Sequence, residues 1–530
     1  MFLDFFEKNI KRYNYSYYYV PLILGFCTSF SLPPYNYTFI NFITFTFLLI
    51  LLLTAKRTLC GNKHFFLIGW FFGLGFFFSS LYWISVSLTH DNSLKILIPF
   101  SLIIIPSFLA IFYGIATLIL KKFVIPKISF ILIFSLIFAV IEYVRGNILS
   151  GFPWNLFVYS WSWSTEIIQC IKIFGTYGFN LLSITIFSFP FIFFIKARKM
   201  DIIKAFSLLF ILIYMIFIFG TTIPSLQKNA DANDFTVKIV SPNIELNEFF
   251  KNNNDRKTIK ELIKLSNPDK TLKTIFIWPE GMFSSTYLNE LREYENIFSE
   301  SFSDNHLIIF GINNLEYFEN KKHIYNTLSV VDNNLNLLAS YKKNKLVPFG
   351  EFLPYENFFH KIGLKKITYG YKSFSKGNAR KIINIKKDDY DLNFLPLICY
   401  EIIYSGKLKE KTQKFNLMIN ISEDGWFGNS IGPYQHFVHA VYRAIEEGTY
   451  IIRSTNNGIS AFISPYGKII NSLKLNEKGV IEVKIPKYEK STIFSKYGNK
   501  IFFLIIMLYI LLILILNKDK LILNKDKKLK

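Results

Sequence analysis

Long apolar runs and shorter alternating runs divide this chain into segments with different predicted structures. The first 222 residues contain about seven apolar stretches, each near the ~20 residues that a membrane-spanning helix needs, and an eighth runs from Ile501 to Leu516. The predicted spans are 17–33, 37–54, 65–86, 96–120, 123–144, 174–195 and 203–222. Because further spans follow the first directly, that helix is not expected to be a cleaved signal peptide. The pattern predicts an α-helical transmembrane bundle of about eight helices.

Basic residues are distributed unevenly over the loops of this predicted bundle. Lys and Arg accumulate before the first helix, after the second, fourth and sixth helices, and in the C-terminal tail, whereas the alternate loops carry almost no charge. Positively charged loops face the cytoplasm. The distribution therefore predicts a multi-pass membrane protein with both termini cytoplasmic and residues 223–499 on the outer side.

The hydrophilic part of the chain has the pattern of an α/β domain. Short β-rich runs alternate with helical segments at 255–265, 287–299 and 432–447, and the apolar character of these runs indicates buried strands. The nine runs are FTVKIVSPN, TIFIWPE, HLIIFGIN, YNTLSVVD, LNFLPLICYE, FNLMINIS, TYIIRSTN, ISAFISP and GVIEVKI. About 270 residues suffice for a two-sheet core covered by helices.

These patterns give four predicted regions. Residues 1–222 form a transmembrane domain, residues 227–498 form the α/β domain with its mainly β core, residues 499–516 form a C-terminal transmembrane helix, and residues 517–530 form a basic cytoplasmic tail. The α/β domain is the part in which the candidate catalytic residues lie.

Composition narrows the possible functions. Hydrophobic residues make up 51% of the 530 residues and charged residues only 18%, which excludes a disordered, collagen-like or coiled-coil chain. The net charge is +22, and many of the lysines lie beside apolar runs. The basic excess is therefore better explained by loops that orient a membrane protein than by nucleic acid binding. The four cysteines fit neither a disulfide framework nor a metal site; they are Cys27, Cys60, Cys170 and Cys399.

Three ends of predicted strands carry residues suited to covalent catalysis. A cysteine thiolate is a nucleophile, a lysine stabilises negative charge, and a glutamate carries protons. Each has an ordinary structural explanation when taken alone: a glutamate at a helix N-terminus, a solvated lysine loop or a buried free cysteine. His436 and His439, downstream, are expected to be structural. The candidates are Glu280 in IFIWPE, Lys343, Lys345 and Glu351 in SYKKNKLVPFGE, and Cys399, Tyr400 and Glu401 in LPLICYE.

Several motifs resemble those of a known family. IWPE, YKKNKLVPFGEFLP and LICYE, in this order, resemble the Glu-Lys-Cys motifs of the carbon–nitrogen hydrolase (nitrilase) superfamily. GWFGNSIGPYQHFVHAVYRAIEEGTYIIRSTNNGISAFISPYGKI and EYVRGNILSGFPWN are similar to the apolipoprotein N-acyltransferases, integral membrane members of that superfamily. The layout of seven helices, a hydrolase domain and a final helix extends the resemblance over essentially the whole chain. The resemblance implies that the membrane is the bacterial inner membrane and that residues 223–499 are periplasmic.

The resemblance implies a fold and a set of site residues. The α/β domain would be a nitrilase-like αββα sandwich. Its triad would be Glu280 as general base and acid, Lys343 as oxyanion stabiliser and Cys399 as nucleophile. Glu351, Tyr400 and Glu401 would support this triad. The Lys-Trp pair of the family is replaced here by Glu248-Phe249, so no role is assigned to Phe249.

The resemblance also implies a reaction. An acyl chain would pass from a membrane phospholipid, through a thioester on Cys399, to the N-terminal amine of a diacylglyceryl-cysteine on an apolipoprotein, the last step of lipoprotein maturation. No metal or organic cofactor and no nucleic acid would take part. The alternatives are a membrane-tethered amidase or nitrilase that hydrolyses a C–N bond, and a transporter or scaffold whose outer domain only binds.

The motif DGWFGNSIGPY contains candidates for a substrate gate. Trp426 and Phe427 lie between Gly425 and Gly428, and flanking glycines favour a mobile tip. Exposed aromatic residues would let a lipid-fed enzyme contact the bilayer and admit acyl chains. The alternative is that both side chains pack in the core of the domain.

Overall fold

The chain divides into two compact units in a computed structural model. A helical unit contains residues 1–82, 99–223 and 497–530, and a sheet unit contains residues 83–98 and 224–496. The structure describes residues 16–58, 61–195, 199–221, 232–246, 255–354, 373–387, 390–409, 414–487 and 491–517. Phe249, the basic residues before the first helix and the tail from residue 518 onward lie outside these ranges.

The helical unit has a helix within each of the eight predicted spans. Five helical segments are long and apolar enough to cross a membrane: Phe39–Thr58, Asn62–His90, Lys95–Leu120, Ile128–Arg145 and Ile167–Phe194. Two shorter apolar helical stretches are Ile202–Ile218 and Lys500–Leu516. The α-helices are α1 (Ser16–Ser29), α2 (Phe39–Thr58), α3 (Asn62–Leu81), α4 (Ile98–Leu120), α5 (Ile128–Arg145), α6 (Ile171–Ser188), α7 (Lys199–Thr221) and α12 (Lys500–Leu516). The predicted helical bundle is confirmed.

Small residues allow helices of this unit to approach closely. A Cβ on Gly25 of α1 would lie 1.9 Å from the carbonyl oxygen of Phe72 in α3, and one on Gly75 of α3 would lie 2.0 Å from that of Leu22 in α1. Such contacts are characteristic of helix packing in membranes. The ionisable residues Glu142 and Arg145 of α5 are buried and form an ion pair with each other, so both charges are compensated inside the unit.

The sheet unit contains two six-stranded sheets. The first has the order β12-β1-β2-β3-β4-β5 and the second β11-β10-β9-β8-β7-β6. Strands β1, β2 and β3 run parallel, as do β7, β8 and β9. The strands are β1 (Ala232–Ser241), β2 (Thr274–Ile277), β3 (His306–Phe318), β4 (Lys321–Val331), β5 (Leu337–Lys342), β6 (Ile383–Lys387), β7 (Tyr390–Ile398), β8 (Leu417–Ser422), β9 (Tyr450–Thr455), β10 (Ser460–Ile463), β11 (Ile469–Leu473) and β12 (Gly479–Pro486).

The two sheets pack face to face, and helices cover their outer faces. β1 contacts β9 and β10, and the Ser454 hydroxyl of β9 donates a hydrogen bond to the Val240 carbonyl of β1 at 2.9 Å. α8 (Asp255–Ser266) packs on β1 and β12, whereas α10 (Gly432–Glu447) packs on β9. The predicted αββα sandwich is confirmed.

The remaining helices of the sheet unit are short. The segment predicted as a helix at 287–299 is a 3-10 helix, Leu288–Tyr294, followed by α9 (Glu295–Ser301). α11 (Ile493–Tyr497) follows the last strand. Residues 83–98, between α3 and α4, belong to the sheet unit and form 3-10 turns at Tyr82–His90 and Lys95–Leu97.

Candidate active site

The candidate catalytic residues follow the ends of strands from both sheets. Glu280 comes after β2 and Lys343 directly after β5 in the first sheet, and Cys399 directly after β7 in the second. The Lys343 ammonium lies 3.1 Å from Glu280 Oε1. The backbone N–H of Glu423, which follows β8, donates to Glu280 Oε2 at 2.9 Å, so the strand ends of the two sheets meet at this carboxylate.

Glu280 is fixed by its surroundings in a buried position. Asn326 of β4 donates its side-chain N–H to Glu280 Oε1 at 2.6 Å. Gly311 of β3 lets the backbone of Glu280 approach, because a Cβ there would lie 2.5 Å from the Glu280 Cα. Burial raises the pKa of the Glu280 carboxyl, and the charge of Glu351 adds to this effect, against the opposing charge of Lys343. A carboxylate with a raised pKa is suited to take up and return a proton near neutral pH.

Lys343 is a buried cation between two carboxylates. Its ammonium lies 2.7 Å from Glu351 Oε1 in addition to its contact with Glu280. Burial lowers the pKa of Lys343, but the charges of Glu280, Glu351 and Cys399 outweigh burial and hold the pKa well above its ordinary value. Lys343 therefore remains charged and can stabilise an oxyanion.

Cys399 occupies a turn with unusual backbone geometry. Its φ is +47°, in the left-handed region that non-glycine residues rarely adopt, and it begins the 3-10 helix Cys399–Ile403. Burial and the charges of Glu280 and Asp424 raise the pKa of the thiol above its ordinary value, although Lys343 opposes them. The thiol form of Cys399 is therefore favoured, and a nucleophilic role would require removal of its proton.

The supporting residues hold the turns that carry Lys343 and Cys399. Glu351 Oε2 accepts a hydrogen bond from the Val347 N–H at 2.9 Å, besides pairing with Lys343. Tyr400 is buried, and its ring packs edge-on against Tyr404 with 5.5 Å between centroids.

Glu401 is fully buried and accepts hydrogen bonds from several elements. Its Oε1 accepts from the Asn344 N–H at 3.0 Å and the Lys345 N–H at 3.1 Å, next to Lys343. Arg380 pairs with the same oxygen at 2.7 Å. Oε2 accepts from the Ile398 N–H at 3.0 Å, next to Cys399. One carboxylate therefore ties the lysine turn to the cysteine turn.

A second buried cluster, which sequence reasoning did not find, lies under Cys399. The Asp424 carboxylate is 2.7 Å from the Arg453 guanidinium and 2.9 Å from His436 Nδ1. His436 Nε2 lies 3.4 Å from the Cys399 carbonyl oxygen. Burial lowers the pKa of His436 despite the charge of Asp424. Arg453 is the one charged residue in the run TYIIRSTN. A charged residue in a strand predicted to be buried needs a buried partner, and this was the signal by which the sequence could have indicated the cluster.

Three atoms of this region are close enough to consider a metal ion. Cys399, Asp424 and His436 offer ligand atoms that lie within 4.8 Å of one another. The Arg453 guanidinium, however, already pairs with Asp424 and lies 3.0 Å from His436 Nδ1. A resident positive charge at that position disfavours a second cation.

The gate candidates lie in a 3-10 turn, Asp424–Phe427, and both are partly buried. The Phe427 ring packs edge-on against Trp83 with 4.8 Å between centroids, and Trp426 packs against His90 at 5.7 Å. A Cβ on Gly428 would lie 2.7 Å from a Val86 methyl group. The turn thus contacts the segment 83–90 rather than projecting freely, and a gating role stays a prediction.

Known proteins are similar in sequence to this chain over most of its length. The model of the apolipoprotein N-acyltransferase N-terminal domain matches residues 24–189, and that of the carbon–nitrogen hydrolases matches residues 293–493. An apolipoprotein N-acyltransferase of Rickettsia prowazekii is 32% identical over 511 residues, which cover 92% of this chain and 97% of the relative. One of Rhodopseudomonas palustris is 29% identical over 513 residues, which cover 94% of each.

Solved structures align with about half of this chain. Nit3 of Saccharomyces cerevisiae, a member of the nitrilase superfamily, aligns with a TM-score of 0.34 and 18% identity, over 49% of this chain and 93% of that protein. The resemblance stated from the motifs is confirmed by the sequence relatives. With 32% identity over nearly the full length of both proteins, the chain belongs to the apolipoprotein N-acyltransferase family.

Proposed function

We propose that this protein moves an acyl chain from a membrane phospholipid, through a thioester on Cys399, to the N-terminal amine of a diacylglyceryl-cysteine on an apolipoprotein. Its substrates are therefore two lipids, and the reaction is the last step of lipoprotein maturation. The observation that carries the proposal is the pairing of Lys343 with Glu280 in one buried site, whose charges act on the Cys399 thiol. The relatives do not favour a membrane-tethered amidase or nitrilase.

The first half-reaction forms the acyl-enzyme. Glu280 takes the proton of the Cys399 thiol while the sulfur attacks the ester carbonyl carbon of the phospholipid, and the charge of Lys343 stabilises the oxyanion. The C–O bond then breaks, and the departing lyso-phospholipid oxygen takes the proton from Glu280. The raised pKa of Glu280 suits this double task, since the group must hold the proton briefly and then release it.

The second half-reaction uses the same groups in the reverse order. The free amine of the acceptor attacks the thioester carbonyl carbon, Glu280 takes a proton from the attacking nitrogen, and the C–S bond breaks. The Cys399 sulfur leaves as a thiolate and takes that proton, which restores the thiol. Glu351 and Glu401 act by holding the turns of Lys343 and Cys399, and Trp426 and Phe427 are proposed to border the lipid entrance.

The chain is a membrane protein, and we place its catalytic domain in the periplasm. The four predicted regions, 1–222, 227–498, 499–516 and 517–530, then have separate tasks: the first and third anchor the enzyme, the second catalyses, and the fourth stays in the cytoplasm. This arrangement is supported by the charge asymmetry of the loops. It brings the site to the membrane face on which mature lipoproteins are exposed.

Mass spectrometry of Cys399 tests the proposal. Incubation of the purified full-length enzyme with phospholipid alone should add the mass of one acyl chain to the peptide that contains Cys399. Cys399→Ser should lose acylation by on the order of 10³-fold or more, as expected when a nucleophile is removed. Cys27→Ala, which changes a half-buried cysteine of the helical unit, is the control and should acylate normally. Normal transfer by Cys399→Ser would refute the mechanism.

A further inference from the structure

Glu423 is a carboxylate beside the proposed triad to which the mechanism above gives no task. It follows β8, whose six residues are all buried, but its own side chain is partly exposed. Its backbone N–H donates to Glu280 Oε2 at 2.9 Å. Glu423 therefore lies beside the proposed catalytic base and is itself only partly exposed.

The Glu423 carboxylate is held in place but is not saturated. Its Oε1 accepts from the Gly425 N–H and its Oε2 from the Asn456 side chain, both at 2.8 Å. Asn456 is itself fixed by a pair of 2.8 Å hydrogen bonds with the backbone of Ile244. A carboxylate offers about four acceptor positions, so about two remain for a further donor.

The neighbouring carboxylates Glu280 and Asp424 have cationic partners, whereas Glu423 has none among the described residues. Glu280 is paired with Lys343, and Asp424 with Arg453. In the part of the chain that the structure describes, no Lys or Arg lies within ion-pair distance of Glu423. Burial raises the pKa of Glu423 to about 8, and the negative charges of Glu280 and Asp424 add to this effect. A cation supplied by the substrate would relieve this repulsion and lower the pKa of Glu423, so that the group is a carboxylate while the cation is bound.

The second substrate of the proposed reaction is such a cation. An N-terminal α-amine has a pKa near 7.7–8.0, so at neutral pH most acceptor molecules arrive as ammonium ions. An ammonium ion has no lone pair with which to attack a thioester, and it must lose a proton before transfer. Glu280 removes a different proton, the one that the nitrogen loses after attack.

We propose that Glu423 binds the primary ammonium group of the acceptor and takes its first proton. This inference rests on the proposed function and adds an acceptor site to it. The ammonium donates hydrogen bonds to the open positions of the carboxylate, one proton moves from nitrogen to Glu423, and the neutral amine attacks the Cys399 thioester. After the C–S bond breaks, Glu423 releases its proton to water, so protons and charges balance.

The two half-reactions separate this role from a structural one. Glu423→Gln keeps a carbonyl oxygen for the Gly425 N–H but removes the charge. The variant should form the thioester with phospholipid at a rate within about threefold of the native enzyme, because no ammonium ion has to be deprotonated in that step. Single-turnover transfer to a synthetic diacylglyceryl-cysteine peptide at neutral pH should fall by roughly 10-fold or more, as is usual when an acid–base group is lost. Transfer should recover above about pH 9, where the amine is free.

Hydroxylamine provides the second measurement. It is mostly uncharged at neutral pH, so it should cleave the thioester of Glu423→Gln and of the native enzyme at the same rate. Glu482→Gln, at an exposed position of β12, is the matched control and should behave as the native enzyme does in every assay.

Three outcomes would overturn the inference. Equal slowing of transfer to the peptide and of cleavage by hydroxylamine would show that Glu423 only maintains the structure. Loss of thioester formation in Glu423→Gln would show that it positions Glu280 instead. If Glu423→Gln transferred the acyl chain with the same pH profile as the native enzyme, Glu423 would have no part in deprotonating the acceptor. Absence of any thioester in the native enzyme would instead refute the proposed function itself.

Discussion

Lys343 lies within hydrogen-bonding distance of two carboxylates that have different tasks. Glu280 is the proposed proton carrier, whereas Glu351 holds the ammonium at 2.7 Å and contributes the charge that helps to raise the pKa of Glu280. The proton affinity of the base is thus set in part by a residue that takes no proton in the reaction.

Glu351→Gln should change the pH dependence of acylation. Acylation requires the Glu280 carboxylate, so its rate falls as the pH drops through the pKa of Glu280. Removal of the nearby negative charge lowers that pKa, and the acid limb should therefore move to lower pH. At neutral pH the rate should fall by about 10- to 100-fold, because Lys343 loses a positioning partner. Pre-steady-state release of lyso-phospholipid, measured against pH, tests both effects.

The pair of Lys342 and Glu316, with a 2.6 Å contact, offers a control for this measurement. Glu316→Gln removes the same charge from a neighbouring lysine that is partly exposed, and its acid limb should coincide with that of the native enzyme. An acid limb of Glu351→Gln that also coincides would contradict the assignment of Glu351.

Glu401→Gln should lower the stability of the fold as well as the rate of acylation. In the structure, Glu401 is the buried counter-charge of Arg380 and accepts three backbone N–H groups. An unpaired buried charge costs about 3–5 kcal/mol, so thermal unfolding should occur at a clearly lower temperature than in Glu351→Gln.

At the scale of elements, the sequence predicts the inner strands better than the edges. Strands β5, β6 and β11 were not predicted, and each lies at an edge of its sheet. All five residues of β11 are at least partly exposed, and β6 alternates buried with exposed positions. Edge strands bury little of their surface, so they lack the apolar run by which buried strands are recognised.

The same limit applies to the site. Residues that directly follow apolar strands, such as Glu280 and Cys399, are visible in the sequence. Asn326 and Arg453 lie within strands and contact the site only because separate strands become neighbours. Such contacts depend on the order of the strands in the sheet, and the pattern of residues in a single sequence does not specify that order.

Gly311→Ala tests how closely β3 must approach the end of β2. The added methyl group would lie 2.5 Å from the Glu280 Cα and 2.7 Å from the Gly281 nitrogen. The backbone that carries Glu280 must then shift, and overpacking of this kind costs about 1–3 kcal/mol. We expect acylation to fall far more than stability, because a catalytic carboxylate displaced by about 1 Å loses on the order of 10²-fold in rate.

Gly479→Ala, on the edge strand β12, is the matched control. Its methyl group would lie 3.1 Å from a flexible Leu473 side chain, so acylation and thermal stability should stay close to native. Equal effects of the two substitutions, or a Gly311→Ala enzyme with native acylation kinetics, would contradict the proposed need for close approach.

At the scale of the whole molecule, the two units are interleaved in sequence. The helical unit takes residues from both ends of the chain, and the sheet unit includes residues 83–98 from the interval between α3 and α4. Residues 83–98 then supply Trp83, Val86 and His90 to the turn that contains Trp426 and Phe427. This segment of the sheet unit lies in sequence between two apolar helices of the helical unit.

Reporter fusions test the proposed topology. The seven spans predicted before the α/β domain would reverse the side of the chain relative to the N-terminus, and the predicted final span would reverse it again. A phosphatase that is active only outside the cytoplasm should therefore be active when fused after Ser225 and inactive when fused at Lys530. A fusion after Lys121, in the basic loop that follows α4, should also be inactive, because positive loops remain in the cytoplasm. Activity at Lys530 would contradict the eight-span topology, and inactivity after Ser225 would place the proposed acyl transfer on the wrong face of the membrane.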